Sequence, residues 1–448
     1  MKRLTMNFAA PSGKVKPMHG VNNAPVFGYY GYEHMHYMTE AGIPFSRLHD
    51  TGGYFGGARF VDVENIFPNI DTADETDPAN YDFAITDRLI EELYKAGMEP
   101  VYRLGATIEN GHFIKAYRIY PPKDFAKYAR VCANIVRHYN HGWADGFHYG
   151  IRYWEIWNEP DNSNKIEENP CWKGTKEQFF EFYRTIACYL REQFPEILIG
   201  GYASSGMYAC MTELVPEEVL AAAHVSPRYK SFLTFFTDFL DYITAPETAA
   251  PLDFFTWHSY ARVEDNVHHA AYVRRELDMR GLTQVVCVLI EWNPNFTLRG
   301  KPEHAAWTAQ MFLGMHPLVD QMEFYTGCIQ STYASLFEMP APMDYRPTKT
   351  YYTFKMFNEL YRLGQAVPVS SEDDRVYALG ATDGEAVALM LANGADEDVS
   401  LALDGAVFAG KAVTARLIDG EHTDEEVPCD PASGVVTLPP YGVLLIQA

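Results

Sequence analysis

Eight short runs of β-branched and aromatic residues alternate with longer amphipathic stretches between about residues 15 and 363. This repeat limits the fold more than any other feature, because strands and helices in alternation build a parallel sheet covered by helices. Helical spacing of apolar residues is clearest at 84–96, 122–139 and 177–194. Eight such units predict an α/β fold, a closed (β/α)8 TIM barrel. The predicted barrel strands are 16–22, 45–49, 99–104, 152–157, 198–202, 254–258, 285–292 and 321–325.

A different pattern follows residue 363. Six short strand candidates, separated by Gly, Asp and Pro and by no helical run, predict an antiparallel β-sandwich at the C-terminus. They cover residues 376–379, 386–392, 399–403, 412–417, 435–438 and 443–446. We therefore expect the barrel to occupy residues 16–363 and the sandwich, an accessory domain, residues 364–448. An N-terminal strand within residues 1–15 is expected to join the sandwich. Two long insertions are expected in the barrel, at 51–81 and at about 202–251.

The composition excludes several classes of function. Lys and Arg number 36 against 59 Asp and Glu, a net charge of −23 that repels phosphate backbones, so nucleic acid is not expected as a partner. No stretch approaches the roughly 20 apolar residues of a membrane helix, and residues 1–10 lack the apolar run of an export signal. Seven scattered cysteines without a CxxC pair fit reduced thiols. These features predict a cytoplasmic protein without membrane contact. They are compatible with an oligomer as well as with a monomer.

Several motifs for nucleotide binding, metal binding and serine nucleophiles are absent from the sequence. It contains no GxxxxGKS/T, HExxH or GxSxG motif, and no GxGxxG motif after a predicted strand. None of the 15 histidines lies at a spacing from a carboxylate residue that is typical of metal ligands. We therefore expect neither a metal nor an organic cofactor.

Two glutamates end predicted strands that are otherwise bulky and apolar. Glu159 lies in YWEIWNEP after the fourth strand, and Glu291 lies in VLIEWN at the end of the seventh. A lone glutamate at such a place often only makes an ion pair, but the carboxyl ends of barrel strands meet at one mouth. Glycoside cleavage needs a pair of this kind, one carboxyl protonated to assist the leaving oxygen and one ionised. The two glutamates therefore predict a glycoside or oligosaccharide as the substrate.

The segments around these glutamates resemble known signatures. WEIWNEPDN and LIEWN are similar to the acid/base and nucleophile segments of the clan A retaining glycosidases, which share a (β/α)8 barrel. FSRLHD at 45–50, WHSY at 257–260 and the trailing sandwich resemble glycoside hydrolase family 39, the family of β-xylosidases and α-L-iduronidases. The resemblance implies that Glu159 is the general acid/base and that Glu291 is the nucleophile of a retaining hydrolysis through a glycosyl-enzyme intermediate.

The same resemblance implies roles for residues around the pair. Asn158 matches the residue that binds the hydroxyl next to the reacting carbon, and His49 matches a sugar-binding histidine. His258 and Tyr260 match positions that hold the nucleophile and a sugar hydroxyl. Arg47 is expected beneath the nucleophile, where its charge keeps that carboxylate ionised; the alternative is an arginine that only braces the barrel.

One departure from the family concerns sugar stacking. Family 39 members often place a Trp after the eighth strand, whereas this chain has Phe324 and Tyr325 there. Tyr325 and Trp292 are the expected stacking residues, while Trp307 lies in a helix-like stretch and fits the core better.

The substrate expected from the sequence is a neutral β-linked glycoside, as for a β-xylosidase. The acidic composition disfavours a uronide, although one pocket arginine would be enough to bind one. Three alternatives stay open at this stage: a non-catalytic sugar-binding protein on the same scaffold, a transglycosylase, and a glycosidase specific for an arabinoside, galactoside or uronide.

Overall fold

The fold is described from a computed structural model of the 448-residue chain. It describes residues 1–25, 34–49, 61–107, 118–210, 216–328, 333–341 and 344–448. Asp50 of the FSRLHD segment and residues 51–60 of the first predicted insertion lie outside the described residues.

A closed barrel of eight parallel strands follows a first strand, β1 (Lys2–Met6), as the alternating pattern predicts. The barrel strands are β2 (Gly20–Asn22), β3 (Phe45–Leu48), β4 (Glu99–Leu104), β5 (Tyr153–Ile156), β6 (Leu198–Ser204), β7 (Phe254–Ser259), β8 (Val286–Trp292) and β9 (Gln321–Phe324). Pairing of β9 with β2 closes the ring. All eight predicted strands are present. Half of their bounds coincide with the prediction and the others differ by one or two residues, except that β2 begins four residues later than predicted.

Helices cover the outside of the barrel. They are α1 (Met35–Glu40), α2 (Val63–Ile66), α3 (Ala84–Lys95), α4 (Phe125–His141), α5 (Lys176–Gln193), α6 (Pro216–Ala221), α7 (Pro227–Thr244), α8 (Val263–Met279), α9 (Pro302–Met315) and α10 (Lys349–Leu363). The local sequence sets their ends: a capping box of Thr175 and Gln178 begins α5, and Gly142 in left-handed conformation ends α4. About half of the second predicted insertion is α6 and α7, and α7 packs on α5 as an outer helix of the barrel.

The inside of the barrel has two layers of different chemistry. An apolar layer contains Phe45, Val101, Phe254 and Val288. Two residues farther along β3, in the direction of the mouth, Arg47 points inward and is fully buried. Polar residues thus begin where the strands approach their carboxyl ends, which is the face on which barrels of this type carry their sites.

The C-terminal region is a second, largely antiparallel sheet. After a hairpin of β10 (Phe337–Ala341) and β11 (Asp344–Pro347), it contains β12 (Gln365–Ser371), β13 (Val376–Thr382), β14 (Val387–Asn393), β15 (Val399–Ala402), β16 (Thr414–Ile418), β17 (Thr423–Glu426), β18 (Val435–Leu438) and β19 (Val443–Gln447). The strand order is β17-β16-β19-β14-β13-β12-β1-β15-β18. Leu4, Leu389, Leu401 and Ile446 share one core, so the sheet folds over into the predicted sandwich.

Two strands of this sheet were not predicted from the sequence. Strand β12 contains Pro368, and β17 reads TDEE, so neither gives the apolar alternation of a typical strand. Strand β17 is an edge strand, where acidic side chains are tolerated. Helices α9 and α10 pack on the sheet, and the Trp307 indole donates to the carbonyl oxygen of Gly394 at 3.2 Å. Among the described residues, no helix has the length and hydropathy of a membrane span.

Candidate active site

The two candidate carboxylates lie at the same end of the barrel. Glu159 follows β5 by three residues, and Glu291 is the last residue but one of β8. His258, near the end of β7, lies between them: its Nδ1 is 2.9 Å from Glu159 Oε1, and its Nε2 is 3.6 Å from Glu291 Oε2. One imidazole ring therefore spans the gap between the two glutamates, which the sequence separates widely.

An irregularity in β8 directs Glu291 inward. The register of β8 shifts against both neighbouring strands after Leu289, so that His258 pairs with Glu291 and Ile290 is the extra residue. Ile290 belongs to the inner layer of the barrel, and Glu291 also points inward, to Arg47. Strict alternation would have sent Glu291 to the helices.

The same irregularity corrects the prediction for Trp292. Its side chain is fully buried and packs against Phe312 of α9 and Phe324 of β9, on the outer face of the barrel. After the extra residue, alternation resumes with Trp292 pointing outward. Trp292 therefore belongs to the core and cannot stack on a sugar at the mouth.

Arg47 connects the buried polar groups below the mouth. Its Nη1 donates to Glu291 Oε2 at 3.0 Å and to Asn22 Oδ1 at 3.3 Å. Its Nη2 donates to Asn158 Oδ1 at 2.7 Å, and its Nε donates to Glu155 Oε2 at 2.7 Å. The guanidinium thus neutralises charge on two carboxylates and fixes the amide that precedes Glu159 in the chain.

Glu291 accepts strong hydrogen bonds on both oxygens. Besides Arg47 on Oε2, the Tyr260 hydroxyl donates to Oε1 at 2.5 Å. Burial raises the pKa of the Glu291 carboxyl above its ordinary value, and the positive charge of Arg47 opposes that effect. Burial also raises the pKa of Tyr260 well above its ordinary value, so the hydroxyl stays a neutral donor.

Glu159 has neutral partners in direct contact. Asn162 Nδ2 donates to its Oε2 at 2.5 Å, and the Cys171 thiol lies 3.7 Å from the same oxygen. Burial raises the pKa of the Glu159 carboxyl. Burial lowers the pKa of His258 to about 4, so the ring beside Oε1 is neutral at neutral pH. Because the two carboxyls interact, they titrate as a pair, and the direct contact with Arg47 favours ionisation of Glu291 first.

The turn that carries Glu159 is tied to the neighbouring strand. Glu159 has a left-handed φ of 48°, and its N–H donates to the carbonyl oxygen of Ala203 at 2.9 Å. Asp161 accepts hydrogen bonds from the hydroxyls of Ser204 and Ser205 at 2.6 and 2.9 Å. These contacts hold an uncommon backbone conformation in place and fix where the carboxyl points.

The remaining predicted site residues lie in or beside the mouth. His49 is buried, and burial lowers its pKa well below the ordinary value, with Arg47 acting in the same direction. Tyr325 is nearly buried, and its ring lies 6.5 Å from that of Tyr260 and 5.1 Å from that of Tyr333. The Phe296 ring, 43% exposed, continues this aromatic group towards the solvent.

Sequence reasoning missed several residues of the site, among them Glu155, Asn162, Tyr208 and Arg228. Glu155 was identifiable, because it is the acidic residue of an otherwise apolar strand and lies on the same strand face as inward-pointing Tyr153. Asn162 follows in the WNEPDN segment, but nothing local distinguishes its amide from a loop residue. Tyr208, whose hydroxyl accepts the N–H of Tyr260 at 3.0 Å, and Arg228 come from distant loops and helices, so no spacing predicts them.

The described residues contain no group of three or more His, Cys, Asp or Glu side chains that could hold a metal ion.

Two family models match the chain. Glycosyl hydrolases family 39 matches residues 67–297, and the C-terminal immunoglobulin-like domain of D-apionate lactonase matches residues 373–446. A β-xylosidase of Caldicellulosiruptor saccharolyticus is 25% identical over 134 residues, which are 28% of this chain. That match spans about a quarter of the relative's length, 26%.

Solved structures resemble the whole chain. A glucosidase of Croceicoccus marinus has a TM-score of 0.74 at 20% identity, with 100% of this chain and 98% of that chain covered. A monomeric β-xylosidase of Caulobacter crescentus has a TM-score of 0.66 at 16% identity, covering 100% and 99%. A family 39 enzyme of Xanthomonas axonopodis pv. citri has a TM-score of 0.62 at 16% identity, covering 99% and 96%. At these identities the likeness shows a shared fold, a barrel followed by a β-sandwich.

Proposed function

The chain belongs to glycosyl hydrolases family 39, and from this premise we propose that it hydrolyses a neutral β-linked glycoside, a β-xyloside in the first place, with retention of configuration. The observation that carries the proposal is the pair of carboxyls, buried Glu291 and half-buried Glu159, on either side of one His258 ring. The name of the β-xylosidase relative and the family match support the choice of substrate class.

The proposed reaction has two steps. In the first, a Glu291 oxygen forms a bond to the anomeric carbon while the bond to the leaving oxygen breaks, and Glu159 transfers its proton to that oxygen. In the second, Glu159 takes a proton from water, whose oxygen attacks the anomeric carbon and releases Glu291 as a carboxylate. Two inversions at one carbon give net retention. No metal or organic cofactor takes part in this scheme.

The assignment of the two roles follows from the partners of each carboxyl. Arg47 and Tyr260 donate to Glu291 and favour the ionised form, which is the form that attacks. Glu159 is half-buried among neutral contacts and keeps its proton more readily, as a general acid requires. The reading as a non-catalytic sugar-binding protein is not favoured, because both carboxyls and their supporting donors are present.

Further site residues and the domain division belong to the same proposal. Asn158 and His49 would bind hydroxyls of the sugar, and Tyr325 would stack on its ring, each beside the mouth. The chain would divide into an N-terminal strand (1–15), a catalytic barrel (16–363) and an accessory sandwich (364–448). The pairing of β1 with β12 supports the first of these assignments.

A panel of nitrophenyl glycosides tests the proposal directly. It should contain the β-xyloside, α-arabinoside, β-galactoside, β-glucoside and a uronide, assayed with the wild type and with Glu291→Ala. We expect turnover of the β-xyloside and its loss in the variant. Turnover that persists in Glu291→Ala would refute the mechanism, and a different preferred sugar would correct the substrate. Product analysis with added alcohols separates hydrolysis from transglycosylation.

A further inference from the structure

Asn162 donates a hydrogen bond to one oxygen of Glu159 and is itself held by Arg228; the pair Asn162 and Arg228 is called the clamp below. Asn162 lies three residues after Glu159, and its Nδ2 donates to Glu159 Oε2 at 2.5 Å. Arg228 comes from the first turn of α7, 66 positions later in the chain. Its Nε donates to the backbone oxygen of Asn162 at 2.7 Å, and its Nη2 donates to Oδ1 of the same residue at 2.7 Å.

The arginine decides which way the amide points. A guanidinium has donors only, so the oxygen of the Asn162 amide must face Arg228. The amide nitrogen then faces Glu159 and can only donate, which makes Glu159 Oε2 an acceptor. When Glu159 carries a proton, Oε1, the oxygen next to His258 Nδ1, is therefore the favoured position, because a carbonyl oxygen accepts the Asn162 hydrogen bond better than a hydroxyl oxygen does.

This clamp favours the charged form of Glu159. A hydrogen bond donated to a carboxylate is stronger than one donated to a neutral carboxyl group, and the positive charge of Arg228 acts in the same sense. Burial acts in the opposite sense. Among the residues that the structure describes, the other titratable or charged groups that interact with Glu159 are Arg47, Asp161, Cys171, Tyr208, His258 and Glu291.

We propose that Asn162, oriented by Arg228, is a positioning residue that supports Glu159 as the base of the second step. The inference rests on the proposed function, in which Glu159 must be neutral in the first step and ionised in the second. Arg228 also holds the backbone of Asn162 and thereby the end of the turn in which Glu159 has its left-handed φ. The clamp therefore fixes both the position and the hydrogen-bonding polarity of the carboxyl.

The test compares two leaving groups on the sugar that the nitrophenyl panel identifies. A dinitrophenyl glycoside needs little acid assistance, so its second step limits kcat. With this substrate, we expect Asn162→Ala to lower kcat about tenfold and kcat/KM less than about threefold, because only orientation of the base is lost. With a poor leaving group, the basic limb of kcat/KM should move to higher pH, because Glu159 keeps its proton longer. Unchanged kcat and pH profiles would overturn the proposal.

Further variants separate the clamp from a purely structural role. Asn162→Asp keeps the shape but cannot donate to Glu159, so it should lose at least as much kcat as Asn162→Ala; wild-type kcat in Asn162→Asp would overturn the proposal. Arg228→Lys keeps the positive charge but not the pair of guanidinium donors that bind Asn162. It should therefore lower kcat as much as Arg228→Gln does. The double variant Asn162→Ala/Arg228→Gln should lose less kcat than the two single losses combined, because both single variants remove the same side-chain contact, whereas fully additive losses in free energy would contradict a shared pathway.

Two controls complete the experiment. Arg88→Gln removes an exposed arginine of α3 that pairs with Glu91 and Glu92, and it should leave both kinetic constants unchanged. Glu159→Ala tests the premise. If Glu159→Ala retains normal turnover, the proposed function fails; if it loses turnover while the Asn162 variants behave as wild type, the clamp alone is refuted.

Discussion

The surroundings of the two carboxyls differ in both construction and charge. Glu291 is part of a barrel strand, and its donors, Arg47 and Tyr260, belong to β3 and to the end of β7. Glu159 lies in a turn beyond β5, and its contacting donor, Asn162, is neutral and is held in turn by a helix residue. Two glutamates at one mouth thus need not have equal proton affinity, because a charged donor in direct contact stabilises one carboxylate more than neutral donors stabilise the other.

Among the substitutions that follow, the largest effect is expected from removing the carboxyl of Glu159, which has neutral donors in contact. Glu159→Ala should lower kcat/KM for a substrate with a poor leaving group by about 10²- to 10⁴-fold, with a much smaller loss for a dinitrophenyl glycoside. Azide should restore the turnover of the activated substrate and give a glycosyl azide of unchanged anomeric configuration. Nuclear magnetic resonance of the product checks this, and an inverted product would contradict the retaining scheme.

A second substitution removes the positive charge of Arg47, which makes the surroundings of the two carboxyls different. Arg47→Met should lower kcat/KM on the order of 10²-fold, because the ionised form of Glu291 loses its strongest donor. The acidic limb of the pH profile should move to higher pH, since the pKa of Glu291 rises without the guanidinium.

Arg103→Met is the matched control for Arg47→Met. Arg103 is also fully buried, but it donates to Asp62 at 2.6 Å, and within the described part of the chain it forms no hydrogen bond with either candidate carboxyl. Both variants should be destabilised, as urea unfolding would show, because each leaves a carboxylate without its buried partner. Only Arg47→Met should move the acidic limb, and an equal movement in both variants would make the effect structural.

A third buried carboxyl extends the comparison below the mouth. Burial raises the pKa of Glu323 to about 8 from its ordinary 4.5. The folded chain therefore binds a proton that the unfolded chain releases between these values, and stability falls as the pH rises through this window, by about 1.4 kcal/mol per pH unit. Glu323→Gln should remove that slope. Thermal unfolding of the wild type and of Glu323→Gln at pH 5, 6, 7 and 8 measures the slope. If the stability of the two proteins changes with pH in the same way, the raised pKa does not belong to Glu323.

The smallest effects are expected from two aromatic substitutions, one at the mouth of the barrel and one in its core. Tyr325→Ala should raise KM about three- to tenfold, the loss of one ring that stacks on a sugar. Trp292→Phe should leave KM unchanged and lower the free energy of unfolding by about 1 to 2 kcal/mol, because its ring packs among Phe312 and Phe324. A raised KM in Trp292→Phe would return that residue to the sugar site.

Some features of the site were predictable and others were not, for identifiable reasons. Glu159 and Glu291 stood out because an acidic residue at the end of an apolar strand is detectable locally. The orientation of Trp292 was predicted wrongly, because one extra residue in β8 reverses the alternation and leaves no trace in composition. Strands β12 and β17 were missed because pairing with neighbours, rather than their own residues, makes them strands.

The sequence by itself determined the repeat of eight strands and helices, the change of pattern after residue 363 and the two acidic strand ends, because periodicity and local residue chemistry act over a few positions. Only the tertiary structure decided that one histidine spans both carboxyls, that Arg47 contacts one of them, and that Arg228 turns an amide towards the other. Barrel closure and loop docking bring these groups together across long stretches of chain, and no local pattern records which distant residues will meet.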